Sequence, residues 1–300
     1  MDANEQNTNE AGGERVKISG VINTRNAETY LDAVLSAMGQ ICDELIVGDM
    51  DSSDRTLEIA LAHGATVLHL GNLGFPEAGI PAVLAAANFP WILRLDADEV
   101  LPKVLGERLV AVADADEADI VHVPIRTWAL GRPINHGSFG PGNTTPPRFF
   151  KNGSLVHGIH IHGVHRPVAG ARELRLTEEA DWFEKGLYVE HLSFRGTVDM
   201  RSKSVRYTAN EADQAEAGTY LKEALRSIAR IPYEFFGRFV YRGSYKDRLL
   251  AVMMSAHCAL YQADRAMRML QLKFFGTDQE IEKRNHAAAT RAVSSWNQAQ

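Results

Sequence analysis

The chain has 300 residues, of which 45% are apolar and 23% charged, and this fits one large or two ordinary globular domains. Its formal net charge of −6 argues against a nucleic-acid-binding protein that depends on phosphate contacts. Cys42 and Cys258 are far apart in the sequence, which favours a reducing cytoplasm over an oxidising compartment. Residues 1–14 predict a disordered tail with no signal peptide, and no apolar run reaches the roughly 20 residues of a membrane span.

The first third of the chain alternates between strand and helix patterns. Short β-branched or apolar runs predict four strands: Val16–Ile22, Glu44–Asp49, Ala65–Leu70 and Trp91–Leu95. Helical periodicity predicts three helices: one capped by Asn26 with an apolar face from Tyr30 to Met38, one capped by Ser52 or Ser53 and stopped by Gly64, and one over Ile80–Asn88. This alternation predicts an α/β fold with a mainly parallel, Rossmann-like sheet flanked by helices.

Polar clusters follow three of these strands, at 23–26, 49–54 and 96–99. In open parallel sheets, ligands collect beyond the carboxyl ends of the strands, so we expect the clusters to line one edge. No Gly-x-Gly-x-x-Gly follows the first strand, which disfavours a dinucleotide-binding fold, and no Gly-Lys-Ser/Thr phosphate loop is present. The sequence therefore predicts a ligand site of another kind at this edge.

The stretch Trp91–Pro102 carries the most specific signal. Three carboxylates, Asp96, Asp98 and Glu99, follow a buried apolar run, and such crowding is costly unless a cation neutralises it. Asp96 and Asp98 share one face of an extended chain, and paired carboxylates suit Mg²⁺ or Mn²⁺. The alternative is a solvated turn at a strand end, followed by a helix that Pro102 starts.

Three segments, Ile18–Asn26, Leu45–Thr56 and Trp91–Pro102, resemble the signatures of family 2 inverting glycosyltransferases, which have the GT-A fold. The Asp-Ala-Asp-Glu form after Trp-Ile-Leu is similar to the branch that includes lipopolysaccharide-core glucosyltransferases. The resemblance implies a hexosyltransferase that uses a nucleotide-diphosphate sugar, and the expected donor is a UDP-sugar.

The resemblance also implies a role for each matching residue. Thr24, Arg25 and Glu28 would line the nucleotide pocket, and Asp49 would accept a hydrogen bond from the nucleobase. Asp96 would contact the ribose or the metal, and Asp98 would coordinate the metal that bridges the diphosphate. Asp54 would either contact the nucleotide or hold the loop and the start of the next helix.

Two positions depart from the family pattern. Asp51 stands where the family usually has Gly, and Gly48 stands where it often has an apolar residue. Both lie beside the residue expected to bind the nucleobase, so the identity of the base stays open.

The middle of the chain predicts further strands at Ile120–Pro124 and from Arg148, separated by a long Gly- and Pro-rich loop at 131–147. Four histidines follow: His157, His160, His162 and His165. They lack an accompanying Cys and alternate as in a strand, which argues against a dedicated zinc site. His165 matches the family's Val-His-Glu, with Arg166 in place of the Glu, and is either a third metal ligand, a diphosphate contact or a structural histidine.

The segment Tyr188–Arg195 again resembles the branch, and a helix is predicted from Thr197. Arg195 and Lys203 are candidates for contacts with the diphosphate, with a solvated helix face as the alternative. These patterns divide the chain into the tail, a GT-A domain at 15–195 and a helical region at 196–300 that contacts the acceptor or a membrane.

The helical region contains a basic, aromatic segment, Lys222–Phe274, in which ten Lys/Arg stand against four Asp/Glu. It therefore carries +6, while the rest of the chain carries −12. The interleaved aromatic and basic residues predict either a helix that packs on the sheet domain or a face that rests on anionic lipid. The second alternative would make the protein peripheral at the inner face of a membrane.

Together with these patterns, the family resemblance implies a metal-dependent inverting glycosyltransferase acting on a hydroxyl of a glycan or lipid-linked acceptor. A carboxylate must take the acceptor proton, and Glu99 is the candidate base, with anchoring of the metal site as its alternative role. The rival functions are transfer to a peptide or protein side chain, and binding of a nucleotide sugar without turnover. Phosphoryl transfer is disfavoured because the first strand lacks a Gly-rich basic loop.

Overall fold

The computed structural model describes residues 15–74, 76–157 and 165–297. The predicted tail and two of the histidines, His160 and His162, lie outside these residues. The chain divides into two compact units, the first formed by Met1–Ile125 with Thr145–Glu190 and the second by Arg126–Thr144 with His191–Gln300. This division differs from the predicted boundary at residue 195 because residues 126–144 join the C-terminal unit.

The strands are β1 Ile18–Thr24, β2 Glu44–Asp49, β3 Thr66–His69, β4 Trp91–Arg94, β5 Glu99–Val100, β6 Ile120–His122, β7 Ile125–Ala129, β8 Arg132–Pro133, β9 Pro147–Lys151, β10 Leu155–Val156, β11 Arg166–Pro167, β12 Glu173–Arg175 and β13 Val189–Phe194. The α-helices are α1 Leu31–Met38, α2 Thr56–Ala62, α3 Ile80–Ala85, α4 Lys103–Asp114, α5 Thr197–Asp213, α6 Tyr220–Pro232, α7 Leu249–Phe274 and α8 Asp278–Asn297. Between α6 and α7, a π-helix spans Tyr233–Tyr241.

The first unit is built on a seven-stranded sheet in the order β12-β6-β9-β4-β1-β2-β3. Neighbouring pairs β1–β2, β2–β3, β1–β4 and β12–β6 are parallel, whereas β9 runs antiparallel to both β4 and β6. The expected mainly parallel sheet is therefore confirmed. Because β1, β2 and β4 are parallel neighbours, their carboxyl ends meet at one edge.

Alternation along each strand sends side chains to the two faces of the sheet. One face carries the larger core, in which Leu93 and Phe149 pack with residues of α1 and α4 such as Leu35 and Leu109. The opposite face carries a smaller core with Ile92, Phe150 and Val83 of α3. Trp91 stacks on Phe149 with ring centroids 4.5 Å apart. The sheet is thus covered by helices on both sides, and β4 is buried at its centre.

The second unit contains the predicted helices from Thr197, around Leu250–Tyr261 and from Asp278, which are α5, α7 and α8. A small core joins Ala212 of α5, Ala224 of α6 and Met269 of α7. Within the residues that the structure describes, no helix is long and apolar enough to cross a membrane.

Two predicted helix caps are wrong. Helix α1 begins after Tyr30 and α2 after Arg55, and neither has a side-chain cap. Asn26 and Ser52 instead bond to each other's loops, as described below. Gly64 follows α2 with φ +67° and Pro102 precedes α4, so both of these predicted helix boundaries are confirmed.

Candidate active site

The ends of β1 and β2 place two polar side chains inside the first unit. Thr24 and Asp49 are paired across the strands, and both are buried. Asp49 accepts a hydrogen bond on Oδ2 from the backbone N–H of Ser52 at 3.2 Å. Its other oxygen, Oδ1, is buried without a hydrogen-bond partner among the described residues.

An unsatisfied buried acceptor costs about 1–3 kcal/mol, so it needs a compensating reason. A ligand N–H that reached Asp49 Oδ1 would satisfy it. This orphaned oxygen suits the nucleobase contact expected for Asp49 from the sequence.

Cross-loop hydrogen bonds tie the loop after β1 to the loop after β2. The N–H of Asn26 donates to Ser52 Oγ at 2.9 Å, and the N–H of Ser53 donates back to Asn26 Oδ1 at 2.8 Å. The N–H of Ala27 donates to Thr56 Oγ1 at 2.7 Å. Two of the three predicted polar clusters therefore form one braced edge.

Asp54 is the central acceptor of this brace. Its carboxylate receives the N–H of Glu28 at 3.1 Å and both the N–H and the hydroxyl of Thr56, at 3.0 and 2.5 Å. Partial burial raises its pKa, but the hydrogen bonds from Thr56 and Glu28 outweigh burial and hold the pKa below its ordinary value. The expected loop-holding role of Asp54 is confirmed.

The other residues expected to line the nucleotide pocket are exposed. Glu28 accepts the N–H of Arg55 at 3.1 Å and so also braces the loops, and Arg25 lies at the surface. For both residues, and for the buried Thr24, contact with a nucleotide stays a prediction.

The backbone explains the two departures from the family pattern. Asp51 has φ +57°, a left-handed conformation that Gly adopts most easily and that Asp tolerates better than most residues. At Gly48, an added Cβ would lie 2.4 Å from Asn23 Oδ1 and 2.8 Å from Val83. Asn23 therefore fills the space that an apolar side chain at position 48 would need.

Arg148 on β9 holds two of the three carboxylates after β4, those of Asp96 and Glu99. Arg148 Nη2 donates to Asp96 Oδ2 at 2.6 Å and also to Glu99 Oε1. Glu99 is fully buried, and its Oε2 accepts the N–H of Asp96 at 3.0 Å. Asp96 and Asp98 stay partly exposed, Asp96 with 45% of its side chain accessible.

This arrangement gives the buried Glu99 a different role from the partly exposed Asp96 and Asp98. A general base must reach the acceptor hydroxyl directly or through one water, and Glu99 lies inside the protein on a buried arginine. The geometry favours the second role expected for Glu99, anchoring the residues that face the ligand. Asp96 and Asp98 are the carboxylates that reach the surface.

Two guanidinium groups lie near these acids. Burial disfavours the Arg148 cation, but Asp96 and Glu99 outweigh burial and raise its pKa. Burial and the charge of Arg148 lower the pKa of Arg94. Buried N–H groups of both, Arg94 Nε and Arg148 Nε and Nη1, have no hydrogen-bond partner among the described residues. The edge therefore holds unsatisfied donors as well as the acceptor of Asp49.

His165 packs against His157, with their Nδ1 atoms 3.2 Å apart. Burial and the charge of Arg94 lower the pKa of each imidazole to about 4. Both rings are therefore neutral at pH 7, and neutral imidazole is the form that binds metals.

Within residues 15–74, 76–157 and 165–297, no three His, Cys, Asp or Glu side chains form a group with metal-site geometry. Asp96, Asp98 and His165 are thus not brought together as a three-ligand set. Mg²⁺ is commonly held by one or two carboxylates together with substrate phosphates and water. The partly exposed oxygens of Asp96 and Asp98 fit this simpler arrangement in kind and number.

Arg195 and Lys203 belong to the second unit and both face Asp199. Arg195 lies 3.1 Å from the Asp199 carboxylate, and Lys203 lies 3.8 Å from it while donating to the carbonyl of Ser193. Lys203 also lies over the ring of Phe194. A diphosphate contact for either residue stays a prediction.

Sequence reasoning did not assign Arg148 or Arg94 to the site. A signal for Arg148 was present, since a charged residue directly before Phe149 and Phe150 at the start of a buried strand needs a buried partner. Arg94 likewise interrupts an apolar run immediately before Asp96.

A mainly parallel sheet with acidic loops at its strand ends, joined to a helical C-terminal region, is the arrangement expected for a GT-A glycosyltransferase. The chain belongs to glycosyl transferase family 2, whose family model matches residues 19–173, just over half of its length.

Two curated relatives are uncharacterized glycosyltransferases of Rickettsia. The protein of Rickettsia bellii (strain RML369-C) is 34% identical over 103 residues, covering 34% of this chain and 35% of the relative. RC0292 of Rickettsia conorii (strain ATCC VR-613 / Malish 7) is 37% identical over 93 residues, covering 31% and 33%. The match spans about a third of the length of each relative.

Similar solved structures include TarS 1–349 of S. aureus, with a TM-score of 0.44 and 16% identity over 86% of this chain and 90% of that one. Glucosyl-3-phosphoglycerate synthase from Mycobacterium tuberculosis, in complex with Mn²⁺, uridine-diphosphate-glucose and phosphoglyceric acid, has a TM-score of 0.30 and 23% identity over 38% and 44% of the chains.

Proposed function

We propose that this protein is a metal-dependent inverting glycosyltransferase that uses a UDP-sugar as donor. The observation that carries the proposal is Oδ1 of Asp49, which is buried and has no hydrogen-bond partner among the described residues. It lies at the sheet edge where Asp96 and Asp98 also lie. Uracil presents an N–H group that could satisfy this acceptor. The donor would lie across the ends of β1, β2 and β4, where ligands of parallel sheets collect.

Asp96 and Asp98 would hold Mn²⁺ or Mg²⁺ together with substrate phosphates and water. When bound, the ion would neutralise the leaving diphosphate as a Lewis acid. The chain's own part is to fix these acids: Arg148 holds Asp96 and Glu99, and Glu99 holds the Asp96 backbone. We therefore propose Glu99 as a positioning residue.

In the reaction, the acceptor hydroxyl attacks the anomeric carbon on the face opposite the leaving diphosphate, which inverts that centre. The carbon–oxygen bond to the diphosphate breaks as the new one forms, and the acceptor proton passes to a base. Asp98 is partly exposed and lies in the sequence between Asp96 and Glu99, the two acids that Arg148 holds. It would either accept this proton or bind the metal. Arg25, Arg195 and Lys203 are proposed contacts of the nucleotide or its phosphates.

We propose a glycan or lipid-linked hydroxyl as the acceptor, as the likeness to the lipopolysaccharide-core branch implies. Transfer to a peptide or protein side chain is the alternative. A cytoplasmic site is supported by Cys42 and Cys258, which are free thiols.

The test is release of nucleotide diphosphate from a panel of nucleotide sugars with Mn²⁺ or Mg²⁺, with and without glycan, lipid-linked and peptide acceptors. We expect release from a UDP-sugar, stimulated by one acceptor class, and a loss of at least about a hundredfold in Asp98→Asn. Asp181→Asn is the matched control, because Asp181 is exposed and has φ +56°, which Asn tolerates. Full turnover by Asp98→Asn, or no release from any donor, would refute the proposal.

A further inference from the structure

The second unit carries an unpartnered apolar stripe on helix α6. Leu221, Leu225 and Ile228 follow one another at spacings of four and three residues, so they share a side of the helix, and each is between 42% and 58% exposed. Ala224 and Ser227, on another side of the same helix, are buried. The stripe borders an open depression that includes Lys222 and Arg226.

Exposed apolar residues continue beyond α6. In the π-helix and the turn that follows it, large side chains are between 51% and 88% exposed: Tyr233, Phe236, Val240, Tyr241, Tyr245 and Leu249. Large exposed apolar patches are rare on soluble proteins and mark interaction surfaces, so this concentration of exposed apolar and aromatic side chains in one stretch of chain calls for a partner. We call the stripe and this run together the apolar face.

The exposure of this face does not come from loose packing of α6. Arg265 of α7 fastens the buried side of the helix by donating to Ser227 Oγ at 2.7 Å and to Glu223 at 3.0 Å, and it also bonds Glu211 of α5 at 2.8 Å. The three helices are thus joined below the apolar face, which stays turned to solvent.

Several exposed Lys and Arg side chains in the same stretch of chain as the apolar face are not neutralised by neighbouring carboxylates in the described part of the chain. Lys222, Arg230, Arg242 and Lys246 are exposed, and within the described part of the chain they form no ion pair. Arg226 and Arg238, by contrast, are paired with Glu223 and Glu234. Four unpaired cations of the basic segment Lys222–Phe274 therefore lie in the same stretch of chain as the apolar face.

We propose that the apolar face docks on an anionic membrane surface. Apolar and aromatic side chains beside unpaired Lys and Arg are the composition of a helix that lies in the lipid headgroup region. A second copy of the chain is a poorer occupant, because two like faces would bring the same positive charges together. The proposal concerns binding alone and does not depend on the glycosyl transfer proposed above.

The test is flotation of the full chain with phosphatidylcholine vesicles that contain or lack phosphatidylglycerol, at low and at high salt. We expect binding to the anionic vesicles at low salt and release at high salt. A variant without the four unpaired cations should bind at least about tenfold more weakly, since each charge contributes to attraction to the surface. It combines Lys222→Gln, Arg230→Gln, Arg242→Gln and Lys246→Gln. Leu225→Glu with Ile228→Glu should weaken it at least as much.

Leu61→Glu is the matched control, because Leu61 is 64% exposed on α2 of the first unit, away from the apolar face in sequence. It should bind vesicles as the unchanged protein does. Tyr241→Ser, at a position 88% exposed, gives a second variant that should fold normally and bind less.

Three results would overturn the proposal. They are absence of binding to anionic vesicles at low salt, equal binding by the variants of the apolar face, and a dimer of the unchanged protein that Leu225→Glu dissociates while vesicle binding is absent. The last result would assign the face to a contact between copies.

Discussion

At the scale of single residues, contacts with Arg148 distinguish the acid after β4 that anchors the site from those that stay accessible. Its side chain is 5% exposed, and it donates to both Asp96 and Glu99. A buried arginine needs a carboxylate, because an unpaired charge inside a protein is costly. Glu99 is fully buried beside this arginine, whereas Asp96 shares the arginine and keeps 45% of its side chain accessible.

Glu99→Gln should therefore act on the site through its neighbours. Loss of the Glu99 charge leaves Arg148 with one carboxylate, and we expect the free energy of unfolding to fall by about 3 kcal/mol. We also expect the concentration of Mn²⁺ needed for half-maximal donor turnover to rise at least about fivefold. Thermal unfolding and a Mn²⁺ titration of turnover measure the two effects.

Glu107→Gln serves as the control, since Glu107 is an exposed residue of α4 that faces Lys103 at 3.6 Å. It should change neither quantity appreciably. If Glu99→Gln instead lowered kcat alone, with the Mn²⁺ and donor dependence unchanged, Glu99 would be the base and not an anchor.

The candidate site could be predicted in part from the residues themselves. Asp49, Asp96 and Asp98 stand directly after apolar strand patterns, so their place at the edge follows from local sequence. The contact of Arg148 with Asp96 spans 52 residues and depends on the neighbours of β9 in the sheet. Strand periodicity predicts which residues form β9 but not which strands lie beside it.

At the scale of elements, charged side chains hold the outer strands of the seven-stranded sheet together. Lys151, at the end of β9, lies 2.8 Å from Asp119, just before β6. Arg172, just before β12, lies 3.0 Å from Asp119 and donates its N–H to it at 2.9 Å. Asp119 thus joins three strands that are distant in sequence.

This network predicts a loss of stability in acid. Hydrogen bonds from Arg172 and Lys151 hold the pKa of Asp119 well below its ordinary value. The folded state therefore binds fewer protons than the unfolded state, so the contribution is present above about pH 4 and is lost as the pH falls below it. Thermal unfolding between neutral pH and pH 3 should show this loss.

Asp119→Asn should lower the free energy of unfolding at pH 7 by about 2 kcal/mol and should flatten the decline in acid. Asp114→Asn offers a comparison, because Asp114 accepts a backbone N–H from Val16 and forms no ion pair within the described part of the chain. An acid decline as steep in Asp119→Asn as in the unchanged protein would contradict the prediction.

The elements themselves were predicted more fully than the caps and loops between them. Strands β1, β2 and β4 and helices α4, α5, α7 and α8 begin close to their predicted positions because apolar periodicity and Pro102 mark them locally. The predicted caps at Asn26 and Ser52 are wrong because each side chain accepts a backbone N–H from the other loop, Ser52 from Asn26 and Asn26 from Ser53. The local sequence does not show whether such a side chain bonds to a distant loop or to the N-terminus of the helix that follows it.

At the scale of the whole molecule, ligand binding should appear as a gain in thermal stability. The proposed site has an unsatisfied acceptor at Asp49 and two partly exposed carboxylates, and each needs a different part of a nucleotide–metal complex. A nucleoside diphosphate without the metal would bring more negative charge to Asp96 and Asp98. We therefore expect UDP and Mn²⁺ to stabilise the protein together much more than separately.

With UDP and Mn²⁺ at about one hundred times their dissociation constants, binding adds about 2.7 kcal/mol, which corresponds to a rise in Tm of about 5 °C. Differential scanning calorimetry of the full chain measures the shift. Asp98→Asn should remove the part that depends on Mn²⁺, whereas Asp49→Asn should weaken binding of UDP more than of diphosphate alone. Asp181→Asn should keep the whole shift, and an equal shift with UDP alone would show that the nucleotide binds without help from a metal held by Asp96 and Asp98.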